Sequence, residues 1–144
     1  MDMHSLRQCA LAAATLALAG TGPAHADPTG LWRGSDGGTT RIAACGAALC
    51  GYLATVVPPI DPETSRPWTD KHNANARKRS RPLVGTPVLI RMQPSGAGRW
   101  SGQLYYYVDG NTYSGHLIEQ GPGNIRIEGC VLGMCGGEDM TRIR

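Results

Sequence analysis

From Asp27 onward the chain has no long stretch of helical periodicity. Apolar residues instead recur at every second position, in short runs cut by Gly, Pro, Asn and Asp. This pattern rules out a helical bundle and predicts eight β-strands, over residues 31–35, 39–44, 51–57, 88–93, 99–108, 112–120, 124–131 and 139–143. A long irregular stretch, residues 58–86, separates the third strand from the fourth. The alternation is clearest in the second half. Trp100, Leu104 and Tyr106 share one face with Gly102 between them, while Ser101, Gln103, Tyr105 and Tyr107 take the other, with Tyr113 expected beside them. Asp109-Gly110-Asn111 is a strong hairpin turn between the fifth and sixth strands. Evenly spaced short strands joined by hairpins predict an all-β antiparallel sandwich or closed barrel, and closure removes the edges that invite aggregation. An eight-stranded barrel is just wide enough to be filled by side chains or to hold one small ligand.

The first 26 residues are of another kind. Arg7 precedes an apolar run of Ala and Leu from Cys9 to Gly20, Pro23 breaks it, and Ala24-His25-Ala26 forms an A-x-A cleavage site. The run falls short of the ~20 apolar residues of a spanning helix. Residues 1–26 are therefore expected to be a secretory signal peptide and residues 27–144 one exported, periplasmic or secreted domain, with no transmembrane segment after cleavage. Removing the leader takes away Asp2 and Arg7, so the net charge stays at +3. That is mildly basic and lacks the footprint of a nucleic-acid binder.

The domain keeps Cys45, Cys50, Cys130 and Cys135, as two C-x4-C pairs. An even count in an oxidising compartment predicts disulfides, and three connectivities are possible. Cys45–Cys50 and Cys130–Cys135 are favoured, because each pair brackets four residues that could turn a hairpin and bring the ends into bonding reach. Structural zinc usually uses closer C-x2-C knuckles, so no metal is expected. No C-x-x-C opens a helix, which argues against a redox-active pair. Nothing in the sequence calls for a cofactor.

Gly30-Leu31-Trp32 opens the first predicted strand, and Arg142 lies in the last. These strands are neighbours in an up-and-down barrel, so Arg142 is placed to stack on the Trp32 ring and close the barrel bottom, at about 0.5–2 kcal/mol. The arrangement resembles the lipocalin-like (calycin) barrels, in which a G-x-W tryptophan meets an arginine from the final strand. Further blocks follow in order: Arg41-Ile42-Ala43-Ala44-Cys45-Gly46, Leu49-Cys50-Gly51, Arg81-Pro82-Leu83-Val84-Gly85 and Trp100-Ser101-Gly102. Asp109-Gly110-Asn111-Thr112-Tyr113-Ser114-Gly115, Ile127-Glu128-Gly129-Cys130 and Thr141-Arg142-Ile143 complete them. With these blocks the mature chain resembles the DUF2147 family of small exported bacterial proteins. The resemblance implies a lipocalin-type barrel and no particular reaction. One departure stands out: Met140 replaces the aromatic residue usual just before the final Thr-Arg, which predicts looser packing near Trp32 and Arg142.

Candidates for chemistry are few. His116 and Ser114 share a strand face, but no nucleophile elbow or orienting acid accompanies them. Asp61, Glu63 and Asp70 lie in the long loop, where nothing fixes the carboxylate separation that glycoside hydrolysis needs, and they are expected to be solvated. The same loop carries Lys71, Arg77, Lys78, Arg79 and Arg81, a basic run that could contact an anionic envelope component or serve only as a solvated face. The expected function is non-enzymatic binding of a small apolar or amphipathic molecule, with Trp100, Leu104, Tyr106 and His116 as cavity or core positions. The alternative is a filled barrel that acts through its surface, using the basic loop. The absence of Phe and the abundance of Gly (20) and Pro (10) fit either a hollow or a narrow, filled barrel.

Overall fold

The computed structural model describes Gly20 and residues 27–144; the rest of the expected leader lies outside the described residues. The strands are β1 Gly30–Arg33, β2 Thr39–Cys45, β3 Ala48–Thr55, β4 Ile60–Asp61, β5 Arg66–Pro67, β6 Pro87–Gly96, β7 Arg99–Tyr106, β8 Asn111–Glu119, β9 Asn124–Val131 and β10 Met134–Arg142. Eight of them close an antiparallel barrel in the order β1-β10-β9-β8-β7-β6-β3-β2, while β4 and β5 form a separate small hairpin within the long loop. The predicted all-β, eight-stranded lipocalin-like barrel is therefore present. Closure comes from β1 and β10, with Trp32 opposite Arg142 and Arg33 opposite Thr141.

Strand limits differ where side-chain pattern and backbone pairing diverge. The last strand was expected over 139–143 but begins at Met134, because its first half pairs with β9 residue by residue despite carrying Cys, Gly and Glu in place of alternating apolar residues. The cysteine hairpins are also tighter than their spacing suggested. Strands run through both pairs, leaving two-residue turns at Gly46-Ala47 and Leu132-Gly133. Disulfides join Cys45 to Cys50 and Cys130 to Cys135, with Cα atoms 5.8 and 4.1 Å apart. Such bonds persist in oxidising compartments, which places the folded domain outside the cytoplasm. No helix among the described residues is long and apolar enough to cross a membrane.

The core fills one half of the barrel. Ile42, Leu89, Met92, Leu117, Ile125 and Met140 are buried there around Trp32. Leu89 and Met92 would face opposite sides of a regular strand. An irregularity at Ile90–Gln93, with Arg91 at φ 50°, turns both inward. Gly102 on β7 makes room for this bulge: a Cβ there would lie 2.6 Å from the Ile90 carbonyl oxygen.

Residues 58–86 hold a defined structure. Trp68 and Leu83 pack against the barrel core, Thr69 bridges Pro82, and residues 76–78 form one 3-10 turn. Two of the acids expected to be solvated are buried instead. Asp61 accepts a hydrogen bond from the Lys71 ammonium at 2.9 Å and from the Glu63 backbone N–H. Asp70 accepts from Arg81, Asn73 and the Tyr105 hydroxyl. A buried carboxylate needs such partners, and here they bind the loop to the outer face of β7.

A candidate ligand site at the open end of the barrel

The two ends of the barrel differ. At the closed end Trp32 is 1% exposed, and its indole N–H donates to the Pro28 carbonyl at 2.8 Å. The Arg142 guanidinium lies 4.3 Å from the Trp32 ring centre. Its two terminal nitrogens donate to the carbonyls of Thr29 and Asp27, each at 2.6 Å. Gly30 is required here: its φ is 137°, and a Cβ would lie 2.5 Å from the Arg144 carbonyl oxygen. Met140 is 3% exposed and packs in the same core as Trp32.

At the other end a cavity of about 560 Å³ opens to solvent. Its walls are apolar, from Leu53, Val88, Leu104 and Ile127, and Val131 and Met134 form part of the rim. Tyr106, Tyr107 and Tyr113 also line it, with the Tyr106 and Tyr107 ring centres 6.3 Å apart and tilted by 47°. Three carboxylates stand at the mouth: Asp36 from the β1–β2 turn, Asp109 from the β7–β8 turn and Glu138 from β10. On β10 the inward positions shrink toward this end, from Met140 through Glu138 to Gly136, where a Cβ would meet nothing within 4 Å. On β9 Ile125 and Ile127 give way to Gly129, against which Leu104 packs, 3.0 Å from where a Cβ would stand.

Each carboxylate is held in place. Glu138 accepts from the Ser35 N–H and hydroxyl, and Asp36 accepts from the Gly38 N–H. Asp109 accepts from the Asn111 N–H and from the Tyr113 hydroxyl. Desolvation pushes the Asp109 carboxyl up, but the bonds from Tyr113 and Asn111 outweigh it and hold the group below its ordinary value. The Tyr113 phenol is raised, chiefly by its bond to Asp109. Burial raises the Tyr107 phenol, and the negative charges of Asp36 and Glu138 add to this.

The residues singled out from sequence are scattered over this frame. Leu104 and Tyr106 line the cavity. Trp100 faces inward too, but lies deeper, packed against the filled core. His116 is not a cavity position. It lies opposite Ser101, out of phase with the inward pair Trp100 and Leu117, and therefore on the outer face. Its Nδ1 is 3.0 Å from the Ser101 hydroxyl, which in turn lies 2.7 Å from the Ser95 hydroxyl. Tyr113, expected with Tyr105 and Tyr107, instead lies opposite Leu104 and faces inward. Tyr105 is the ring that points outward; burial first, and then the Asp70 carboxylate, push its phenol up to about 12.

The basic loop is only partly available to a partner. Lys71 is held by Asp61 and Glu63, Arg81 by Asp70, and Arg79 donates to the Asn73 carbonyl. Arg77 and Lys78 remain exposed on the 3-10 turn. Glu128 sits beside Cys130 and Cys135, but both sulfurs are in the disulfide, which leaves no thiolate to bind a metal. The signals that sequence reasoning missed were Asp36, Asp109 and Glu138, which no local motif unites. The glycine at the inward position 136 of β10 was the available clue to open space at this end.

Comparison with known proteins agrees with this architecture. Protein HP1028 from the human pathogen Helicobacter pylori, described as belonging to the lipocalin family, is similar in structure, with a TM-score of 0.68 at 18% identity over 82% of this chain and 84% of that one. At that identity the likeness speaks for the fold alone. Among curated proteins none matches. A family described as "Uncharacterized protein conserved in bacteria (DUF2147)" matches residues 30–142, nearly the whole barrel domain from its G-x-W to its closing arginine. By that match, and with the barrel it encloses, the chain belongs to the DUF2147 family.

Proposed function

We propose that this chain is an exported, non-enzymatic binding protein that takes a small apolar or amphipathic molecule into the open end of its barrel. The carrying observation is the 560 Å³ cavity, which lies within the range of small-molecule sites (about 300–1,000 Å³) and has apolar walls with polar groups gathered at the mouth. Leu104 and Tyr106 are the ligand-contacting residues carried forward from the sequence; Leu53, Val88, Ile127, Tyr107 and Tyr113 join them. Residues 1–26 act as the export signal. Trp32 and Arg142 keep the opposite end shut, so that a ligand enters and leaves by one route. The rival reading, a surface module that grips an anionic partner through its basic loop, has less support, because Lys71 and Arg81 are already neutralised within the loop.

Native mass spectrometry of protein exported to a bacterial periplasm and purified without detergent tests this. A discrete added mass that leaves on denaturation is the expected result. A bare mature mass, together with no saturable uptake of the neutral dye Nile red, would overturn the proposal.

A further inference from the structure

We propose that the ligand carries a cationic head group, an amine or quaternary ammonium, held at the mouth by Asp36, Asp109 and Glu138 beside Tyr106 and Tyr107. The inference rests on the cavity's being the binding site, and it names the charge of what enters.

Three observations converge on it. No Lys, Arg or His lines the cavity, although the chain as a whole carries a net charge of +3. The cavity's own charged lining is thus acidic, while Lys71 and His72 of the loop line the neighbouring pocket that shares Asp36, Tyr107 and Val108 with it. Next, among the described residues no ion pair involves Asp36, Asp109 or Glu138; their hydrogen bonds come from backbone N–H groups and hydroxyls. The loop acids Asp61 and Asp70, in contrast, have their cations within the fold. Lastly, the tilted Tyr106–Tyr107 pair stands in the same mouth. Aromatic rings beside carboxylates attract ammonium groups through the ring quadrupole, and they do so for quaternary ammonium without any hydrogen bond.

An anionic amphiphile such as an alkyl carboxylate would bring its head group against three like charges while its chain occupied the apolar wall. A neutral one would gain the wall contacts and nothing at the mouth. The Tyr107 phenol is raised chiefly by burial, and the charges of Asp36 and Glu138 add to it in the direction that disfavours further negative charge at the mouth.

The test uses three probes with the same decyl chain, each below its micelle concentration, titrated by calorimetry: decyltrimethylammonium, decanol and decyl sulfate. The cation is expected to bind at least about tenfold more tightly than decanol, with decyl sulfate weakest, and its advantage should shrink as salt is raised to ~0.5 M. Asp36→Asn combined with Glu138→Gln should bring the cation down to the level of decanol while leaving decanol unchanged. Both replacements keep an acceptor oxygen for Gly38 and Ser35. If this pair fails to fold, Glu138→Gln alone and the salt dependence of the unaltered protein decide.

Decyl sulfate binding as well as the cation would overturn the inference and leave the cavity reading intact. So would a double variant that keeps the full preference for the cation. Failure of all three probes to bind the unaltered protein would overturn both.

Discussion

The closed and open ends of this barrel are built from the same strands, and the contrast between them lies in the side chains that face inward. At the closed end Trp32, Met92, Leu117 and Ile125 meet across the axis and leave no room. Toward the open end Gly129 and Gly136 take the equivalent inward positions, opposite each other on β9 and β10. An eight-stranded barrel sits at the threshold between filled and hollow. At Gly136 a Cβ would meet nothing within 4 Å, whereas beside Gly129 the space is taken by Leu104, so the open room at this end borders β10. On the proposed function, stability resides at one end and binding at the other, and substitutions should separate the two.

The largest expected effect is at the closed end. Trp32→Ala should destabilise the domain by ~3–5 kcal/mol, read by denaturant unfolding, because it removes a fully buried indole from a dense core. A loss below about 1 kcal/mol would break the contrast between the ends.

Next comes the loop anchor. Asp70→Asn should cost about 3 kcal/mol, since it removes the countercharge of Arg81 and one acceptor of the buried Tyr105 network. The same network gives a pH signature. The folded Tyr105 phenol sits at about 12, above its ordinary value of 10.0. The raised value means that the unfolded chain loses this proton first. The stabilisation is therefore complete below the unfolded value and is lost as pH rises through the folded one, a window of pH 10 to 12. Tyr105→Phe should flatten the fall in melting temperature across that window; an unchanged slope would contradict the assignment.

Arg142→Met should cost about 2 kcal/mol, through the two lost carbonyl contacts and the lost stacking on Trp32, with ligand binding retained. Unfolding and Nile red titration on the same sample check both halves of that statement. The smallest stability effect is expected at the open end. A Cβ at Gly136 would meet nothing within 4 Å, so Gly136→Leu should change stability by no more than ~0.5 kcal/mol while filling the cavity.

The fold was largely legible in the sequence, the site much less so. Period-two alternation and the Asp109-Gly110-Asn111 turn disclose most of the barrel, because one side of each strand is buried and the other is not. The first half of β10 escapes this reading, since Met134-Cys135-Gly136-Gly137 borders a cavity and has no core to satisfy. His116 was misplaced because a hairpin's phase depends on how its loop closes. Four residues, Tyr107 to Gly110, separate β7 from β8, and the resulting register sets Leu104 opposite Tyr113 and His116 opposite Ser101. The loop acids were read as solvated because burial of Asp61 and Asp70 depends on Lys71, Arg81 and Tyr105 meeting them in space, and no periodicity announces such meetings. The mouth carboxylates come from one strand and two separate turns that only barrel closure brings together.

The most direct test of the central claim is a Nile red titration of the unaltered protein beside Gly136→Leu, with melting temperatures taken on both. The account predicts saturable one-to-one uptake by the unaltered protein and its loss in the variant, with the two melting temperatures matching. Equal uptake by both, at matched stability, would show that the open end of the barrel is not where the ligand sits.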